Sequence, residues 1–204
     1  MPPDPWAYEN QARRSGFKCI AGIDEVGRGP LAGPVVAAAV VLPEVLPELG
    51  IADSKRLSEK KRETVYTQIY QHARAVGVGI VDPVEIDRIN ILQAAFAAMA
   101  MALQNLAPTP DYILVDGNQS LPVDVPQNTI VKGDQLSISI AAASIVAKVT
   151  RDRMMALYAM DYPEYDFAVN KGYPTKAHKS AIEMHGASPI HRMSFRGVAP
   201  FSLK

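Results

Sequence analysis

The sequence predicts an α/β fold: a mixed five-stranded sheet flanked by helices, with a C-terminal helical segment. Three observations carry this. Five short apolar segments are bounded by Gly, Pro and Asp, as strands are. Longer stretches repeat apolar residues three and four apart, as helices do. The order is strand, strand, helix, strand, helix, strand, strand, helix, with helical material after it.

Residues 1–16 are Pro-rich and polar, without the apolar core of a secretory signal. They are expected to lie on the surface or to be loosely ordered. Lys18 to Asp24 reads as a buried strand, and Gly27-Arg28-Gly29-Pro30 as a turn. Val35 to Leu42 is a continuous apolar run and so a buried strand, followed by a loop from Pro43 to Gly50. Ser58 is placed to cap a helix reaching about Ala73, with Val65, Tyr66, Ile69 and Tyr70 inward. In Ala75 to Val81, Val76, Val78 and Ile80 alternate with small residues, which reads as a strand.

Asp82-Pro83-Val84-Glu85 combines a cap, a proline at the first helical position and a capping-box acid. The pattern Ile89, Leu92, Phe96, Met99, Leu103, Leu106 predicts one helix from there to Pro108, roughly 30 Å long. Asp111 to Asp116 and Thr129 to Lys132 are the last two strands. A helix from Ile138 to about Tyr158 carries small residues suited to close packing on a sheet, and Thr175 caps a helix ending near Gly186.

Composition narrows the function. With 204 residues, 48% of them hydrophobic and 21% charged, the chain is that of a soluble globular protein of one domain or one domain with an appendage. A single cysteine, Cys19, excludes an internal disulfide and a Cys-based zinc site, and suits a reducing compartment such as the cytoplasm. No run of 18 apolar residues is present, so no membrane span is expected. The zero net charge hides two basic stretches. Lys171 to Lys204 has six Lys or Arg against one Glu, and Ser54 to Arg62 has five against one. Such runs are solvated faces or sites for a polyanion.

Three of the strands end in acids: Asp24-Glu25, Asp116 and Asp134. If those strands are parallel neighbours, four carboxylates meet at one sheet edge, where open α/β sheets bind ligands. Clustered carboxylates repel one another, and hard cations such as Mg²⁺ or Mn²⁺ remove that cost. Two such ions can activate a water and stabilise a leaving oxygen. Taken singly, each acid reads equally as a loop residue or helix cap, Asp134 above all. Asp24 and Glu25 are consecutive, so they face opposite ways unless the strand ends or bends there. Gly27-Arg28-Gly29 lacks the Gly-Lys-Ser/Thr of a P-loop. Its backbone N–H groups suit a phosphate or a sugar hydroxyl.

Beyond these readings, the segment Ile23 to Ala37 (IDEVGRGPLAGPVVA) resembles the signature of ribonuclease HII, the type 2 ribonucleases H. Asp53-Ser54-Lys55, the run Asp87 to Ala94, Asp116-Gly117-Asn118, Lys132-Gly133-Asp134, Ala141 to Arg153, Lys171-Gly172-Tyr173 through His178 and Ser188 to Arg192 resemble it too, so the likeness covers about Ala21 to Arg196. It implies an RNase H-like catalytic domain over residues 17–160 and a segment over 161–204 that closes the substrate groove. It implies hydrolysis of RNA in RNA–DNA hybrids and on the 5′ side of single ribonucleotides in duplex DNA, with Mg²⁺ or Mn²⁺. Asp24, Glu25, Asp116 and Asp134 match the family carboxylates, Gly27, Arg28 and Gly29 the loop that reads the 2′-OH, and Tyr173 a tyrosine that packs on the sugar. Lys55, Arg56, Lys176 and Arg192 are phosphate-contact candidates or ordinary surface charges, and His178 and His191 are expected in structural hydrogen bonds. The expected form is a monomer. Rival readings are a non-catalytic nucleic-acid-binding module and a small-molecule phosphohydrolase.

Overall fold

Val35–Val41 forms strand β2, and all seven residues are buried, so this strand is covered on both faces. In the computed structural model, which describes residues 4–51 and 57–198, β2 lies in a sheet ordered β3-β2-β1-β4-β5. The others are β1 (Ile20–Val26), β3 (Ala75–Val81), β4 (Tyr112–Asp116) and β5 (Gln127–Ile130). β1–β2 and β2–β3 are antiparallel, whereas β1–β4 and β4–β5 are parallel. The three acid-bearing segments therefore do lead to one edge.

The helices are α1 (Ala7–Arg14), α2 (Glu59–His72), α3 (Pro83–Ile89), α4 (Ile91–Gln104), α5 (Ile138–Asp161), α6 (Phe167–Asn170) and α7 (Lys176–His185). One face of the sheet packs on α4 through Ala21, Ile23, Ala37, Ala98 and Met99. The other packs on α2 and α5 through Val36, Ala38, Val40, Ile69 and Ala142. Small residues set the separation: a Cβ at Gly22 would lie 2.1 Å from the Ser139 carbonyl carbon of α5, and one at Gly79 would lie 2.0 Å from the Ala98 carbonyl oxygen of α4.

Several local expectations are corrected. The N-terminal extension is not loose: α1 buries Ala12 and Glu9. The Glu9 carboxylate accepts from the Ser137 and Ser139 hydroxyls, both at 2.6 Å, and from the Ser139 N–H at 3.0 Å. It thus caps α5, a stabilising place for a negative charge. The single helix expected after Asp82 is two. Asn90 takes a φ of +71° and its side chain caps α4 by accepting from the N–H groups of Leu92 and Gln93. Asn tolerates that backbone better than most residues, and the apolar spacing runs through the break unaltered. β5 runs from Gln127 to Ile130 rather than from Thr129 to Lys132, and it stops short of Lys132 because that residue adopts a left-handed conformation that ends extended pairing. Tyr70 is exposed rather than inward, while β3 turns Gly77 and Gly79 onto α4 and Val76 and Val78 onto the opposite face.

The last part of the chain forms its own apolar cluster, in which Tyr165, Phe167 and Ile182 pack on Leu31, Ala32 and Met155. That contact sets α6 and α7 beside the glycine loop that follows β1.

Candidate active site at the parallel strand ends

Asp24 and Asp116 are brought side by side by register. Ile23 of β1 pairs with Val115 of β4, so the next residue on each strand is an acid. Contrary to the expected break before Gly27, β1 stays in register through Val26, opposite Val36. The two acids therefore diverge. Asp24 turns towards α5, where the nearby Ser144 side chain favours its charged form. Glu25 turns to the α4 side and lines a cleft of about 210 Å³ with Arg28, Phe96, Asp116 and Asn118. Both acids stand at the strand's end, so Glu25 reaches the same edge from the other face.

Burial, then the neighbouring Glu25 and Asp116 charges, push the Asp24 carboxyl well above its usual range. Burial also raises Glu25, against the pull of Arg28, whose Nη1 donates to its Oε1 at 3.1 Å. Asp116 Oδ1 accepts from the Gly133 N–H at 2.6 Å. Asp134 follows that glycine, buried in a short 3₁₀ turn. It does not cap α5, since Ser137 does so by accepting from the Ile140 N–H.

The donor set suits a hard divalent cation: carboxylate oxygens, partly desolvated and mutually repelling. Among the described residues no three of these groups are drawn up as a finished ligand set. Glu25 leans on Arg28 and Asp116 on Gly133, contacts that a cation would compete for.

The glycine loop lies against the acids and under the C-terminal segment. Gly27 has a φ of +96° and sits so close to Arg151 that a Cβ would meet its Nε at 2.5 Å. Gly29 faces Tyr173, whose ring would meet a Cβ there at 3.6 Å. Tyr173 is 40% exposed, so it is not a core tyrosine. Its carbonyl accepts from the Thr175 N–H and contacts His178 Nδ1 at 2.9 Å.

Arg192 is not a phosphate contact. Its side chain is fully buried, and its guanidinium donates to the carbonyls of Gly27, Arg28, Pro30 and Gly33 at 2.5–3.1 Å. Burial and the nearby Arg151 push its pKa down to about 9, so it stays cationic at neutral pH. Lys176 is exposed at the start of α7. Lys55 and Arg56 lie outside the described residues.

His178 and His191 form a buried pair with their Nε2 atoms 3.0 Å apart. The Ser188 N–H donates to His191 Nδ1, so that atom is an acceptor and His191 carries its proton on Nε2. His178 Nε2 must then accept, which leaves its Nδ1–H to donate to the Tyr173 carbonyl. The pair is neutral and structural, and it holds the backbone of Tyr173.

Sequence reasoning gave Ser144 only a packing role, and none to Arg151, Glu9 or Asp87. Asp87 ties α3 to the C-terminal segment by accepting from the Met193 and Ser194 N–H groups. Ser144 and Arg151 had a readable signal: two polar residues seven apart, hence on one helical face, in a run otherwise rich in alanine.

A family model described as Ribonuclease HII matches residues 21–198. The chain is 56% identical over 195 residues to ribonuclease HII of Bacillus subtilis, covering 96% of this chain and 76% of that one. It is 57% identical to that of Geobacter sulfurreducens over 196 residues, covering 96% and 90%. Its fold is similar to the crystal structure of ribonuclease H2 from Pyrococcus horikoshii, with a TM-score of 0.78 and 29% identity over 90% of this chain and 97% of that one.

Proposed function

Because the chain belongs to the ribonuclease HII family, we propose that this RNase H-fold nuclease hydrolyses RNA in RNA–DNA hybrids and cuts on the 5′ side of single ribonucleotides in duplex DNA. The reaction is in-line hydrolysis assisted by two divalent cations, Mg²⁺ or Mn²⁺, and leaves 5′-phosphate and 3′-hydroxyl ends. The observation that carries this reading is the meeting of Asp24, Glu25 and Asp116 at one sheet edge, beside a loop of glycines and an exposed tyrosine.

Asp24, Glu25, Asp116 and Asp134 would hold the cations. When bound, these supply activation of the attacking water and neutralisation of charge on the scissile phosphate. The rest falls to the chain. Ser144, on the facing side of α5, favours the charged form of Asp24. The Gly133 N–H fixes one oxygen of Asp116 at the end of β4. The loop at Gly27–Gly29 offers its backbone to the ribose, where RNA differs from DNA, and the Tyr173 ring packs on the neighbouring sugar. Lys55, Arg56 and Lys176 contact phosphates. The segment from residue 161 onward closes the groove by carrying Tyr173 to Gly29.

The test is cleavage of a DNA duplex carrying one ribonucleotide, with Mg²⁺, with Mn²⁺ and with a chelator. Metal-dependent cutting at the ribonucleotide is expected. Failure of the purified protein to cut with either metal, or full activity in Asp116→Asn, overturns the reading.

A further inference from the structure

Two buried arginines take nearly every carbonyl of the loop that follows β1. The Arg192 guanidinium takes those of Gly27, Arg28, Pro30 and Gly33, and its backbone N–H takes that of Leu31. Arg151, from α5, takes those of Ala32 and Pro34, at 3.1 and 2.9 Å. Of the carbonyls from residue 27 to residue 34, only that of Gly29 is left out.

This fixes the direction of the amides. Across a trans peptide the N–H points opposite to the carbonyl before it, and the peptides of this loop are trans. With the Gly27 and Arg28 carbonyls turned inward, the N–H groups of Arg28 and Gly29 turn outward. Neither meets an acceptor among the described residues. Of the amides that follow, Leu31 N–H donates to Gly172 and Gly33 N–H to Ile190, Ala32 is fully buried and so cannot meet a ligand, and Pro30 and Pro34 have no N–H. Two adjacent free donors therefore stand at the loop's tip, between the Glu25–Arg28 pair and the Tyr173 ring.

We infer that Arg192, assisted by Arg151, is a positioning residue for sugar selection, holding the loop carbonyls inward so that the Arg28 and Gly29 N–H groups face an oxygen of the bound ribose. The inference rests on the proposed reading that this loop meets the ribose. Arginine is needed because its planar fork fixes five N–H donors in space, enough to span four carbonyls. A lysine at 192 keeps the charge but gathers its donors at one point. The glycines on either side of Arg28 would then be free to flip a peptide and offer a carbonyl where a donor is required.

The experiment compares the full-length wild type with Arg192→Lys and Arg151→Lys. It measures thermal melting, kcat and KM on a duplex with one ribonucleotide, and affinity for the all-DNA duplex of the same sequence. For a folded Arg192→Lys, kcat/KM on the ribonucleotide duplex is expected to fall about tenfold or more, with all-DNA affinity within about twofold of wild type. A merely structural role would not confine the loss to the ribose-bearing substrate. Wild-type kcat/KM in the folded variant, or an equal loss on both duplexes, overturns the inference. Should Arg192→Lys not fold, Arg151→Lys decides, with a smaller loss of the same selectivity expected and unchanged selectivity overturning. If the wild type does not cut the ribonucleotide duplex, the proposed function fails. If it cuts and the folded lysine variants cut equally well, only the positioning role fails.

Discussion

Arg192 and Asp24 are both hidden from water, at 0% and 7% exposure, yet their surroundings treat them in opposite ways. The arginine has a carbonyl for each part of its fork. The aspartate has two like charges for neighbours and a pKa raised by them and by burial. A buried charge is tolerable when dipoles complete its hydrogen bonds. One half of the site is thus finished by the fold, and the other is left in a state that a cation would relieve. The contrast separates scaffold from chemistry: the satisfied charges hold shape and the strained ones await a ligand.

The sharpest way to break this comparison is Asp116→Asn. The amide keeps an oxygen for the Gly133 N–H but loses the charge. We expect kcat/KM to fall by about 10²- to 10³-fold while the metal-free protein melts no lower than wild type. A drop in both would move Asp116 to the scaffold side. The converse is Arg151→Met, which leaves the carbonyls of Ala32, Pro34 and Lys171 without a donor. A stability loss of roughly 2–4 kcal/mol is expected in denaturant titrations, and an unchanged midpoint would show that these carbonyls are not held in this way.

Cation binding should distinguish the halves further. With their pKa values raised, Asp24 and Glu25 hold protons in the ion-free fold that the unfolded chain has lost. Ion-free stability therefore falls as pH rises above the ordinary carboxylate range. Mg²⁺ or Mn²⁺ at a fixed concentration, a hundred times its dissociation constant at pH 8, should restore about 2.7 kcal/mol there and less at pH 5, where protons compete. An equal shift at both values would place the ion elsewhere. The smallest effect belongs to the histidine pair. Burial lowers His191 from 6.5 to about 4 and lowers His178 as well. Between those values the unfolded chain carries protons that the fold excludes, so stability is full above pH 6.5 and is lost on going down towards 4. A loss on the order of 2 kcal/mol is expected, and its persistence in His191→Gln would assign it to other groups.

Much of this was legible in the chain. The strands announce themselves by β-branched runs between glycines, and Ser58, Asp82 and Thr175 cap the helices that they precede. The four acids and the glycine loop stand out because each ends an apolar strand or follows one. What escaped was decided by distant partners. Residues 1–16 read as a tail because the serines that receive Glu9 lie more than 120 residues away. Arg192 read as a surface charge because local sequence cannot show that a loop from residue 27 onward folds its carbonyls around it. The divide at Asn90 escaped for a different reason: apolar spacing measures which face is buried, and a one-residue bend leaves that face unchanged.

Helix α5 serves both halves. It stands beside Asp24 at Ser144 and holds the loop through Arg151, seven residues later. At the usual helical rise those positions are about 10 Å apart along the axis. If the proposed function holds, the interval between the point of cutting and the point where the sugar is inspected is thereby written into a rigid rod. Loops on either side can breathe without altering that measure, as a caliper keeps its setting when its handle is moved.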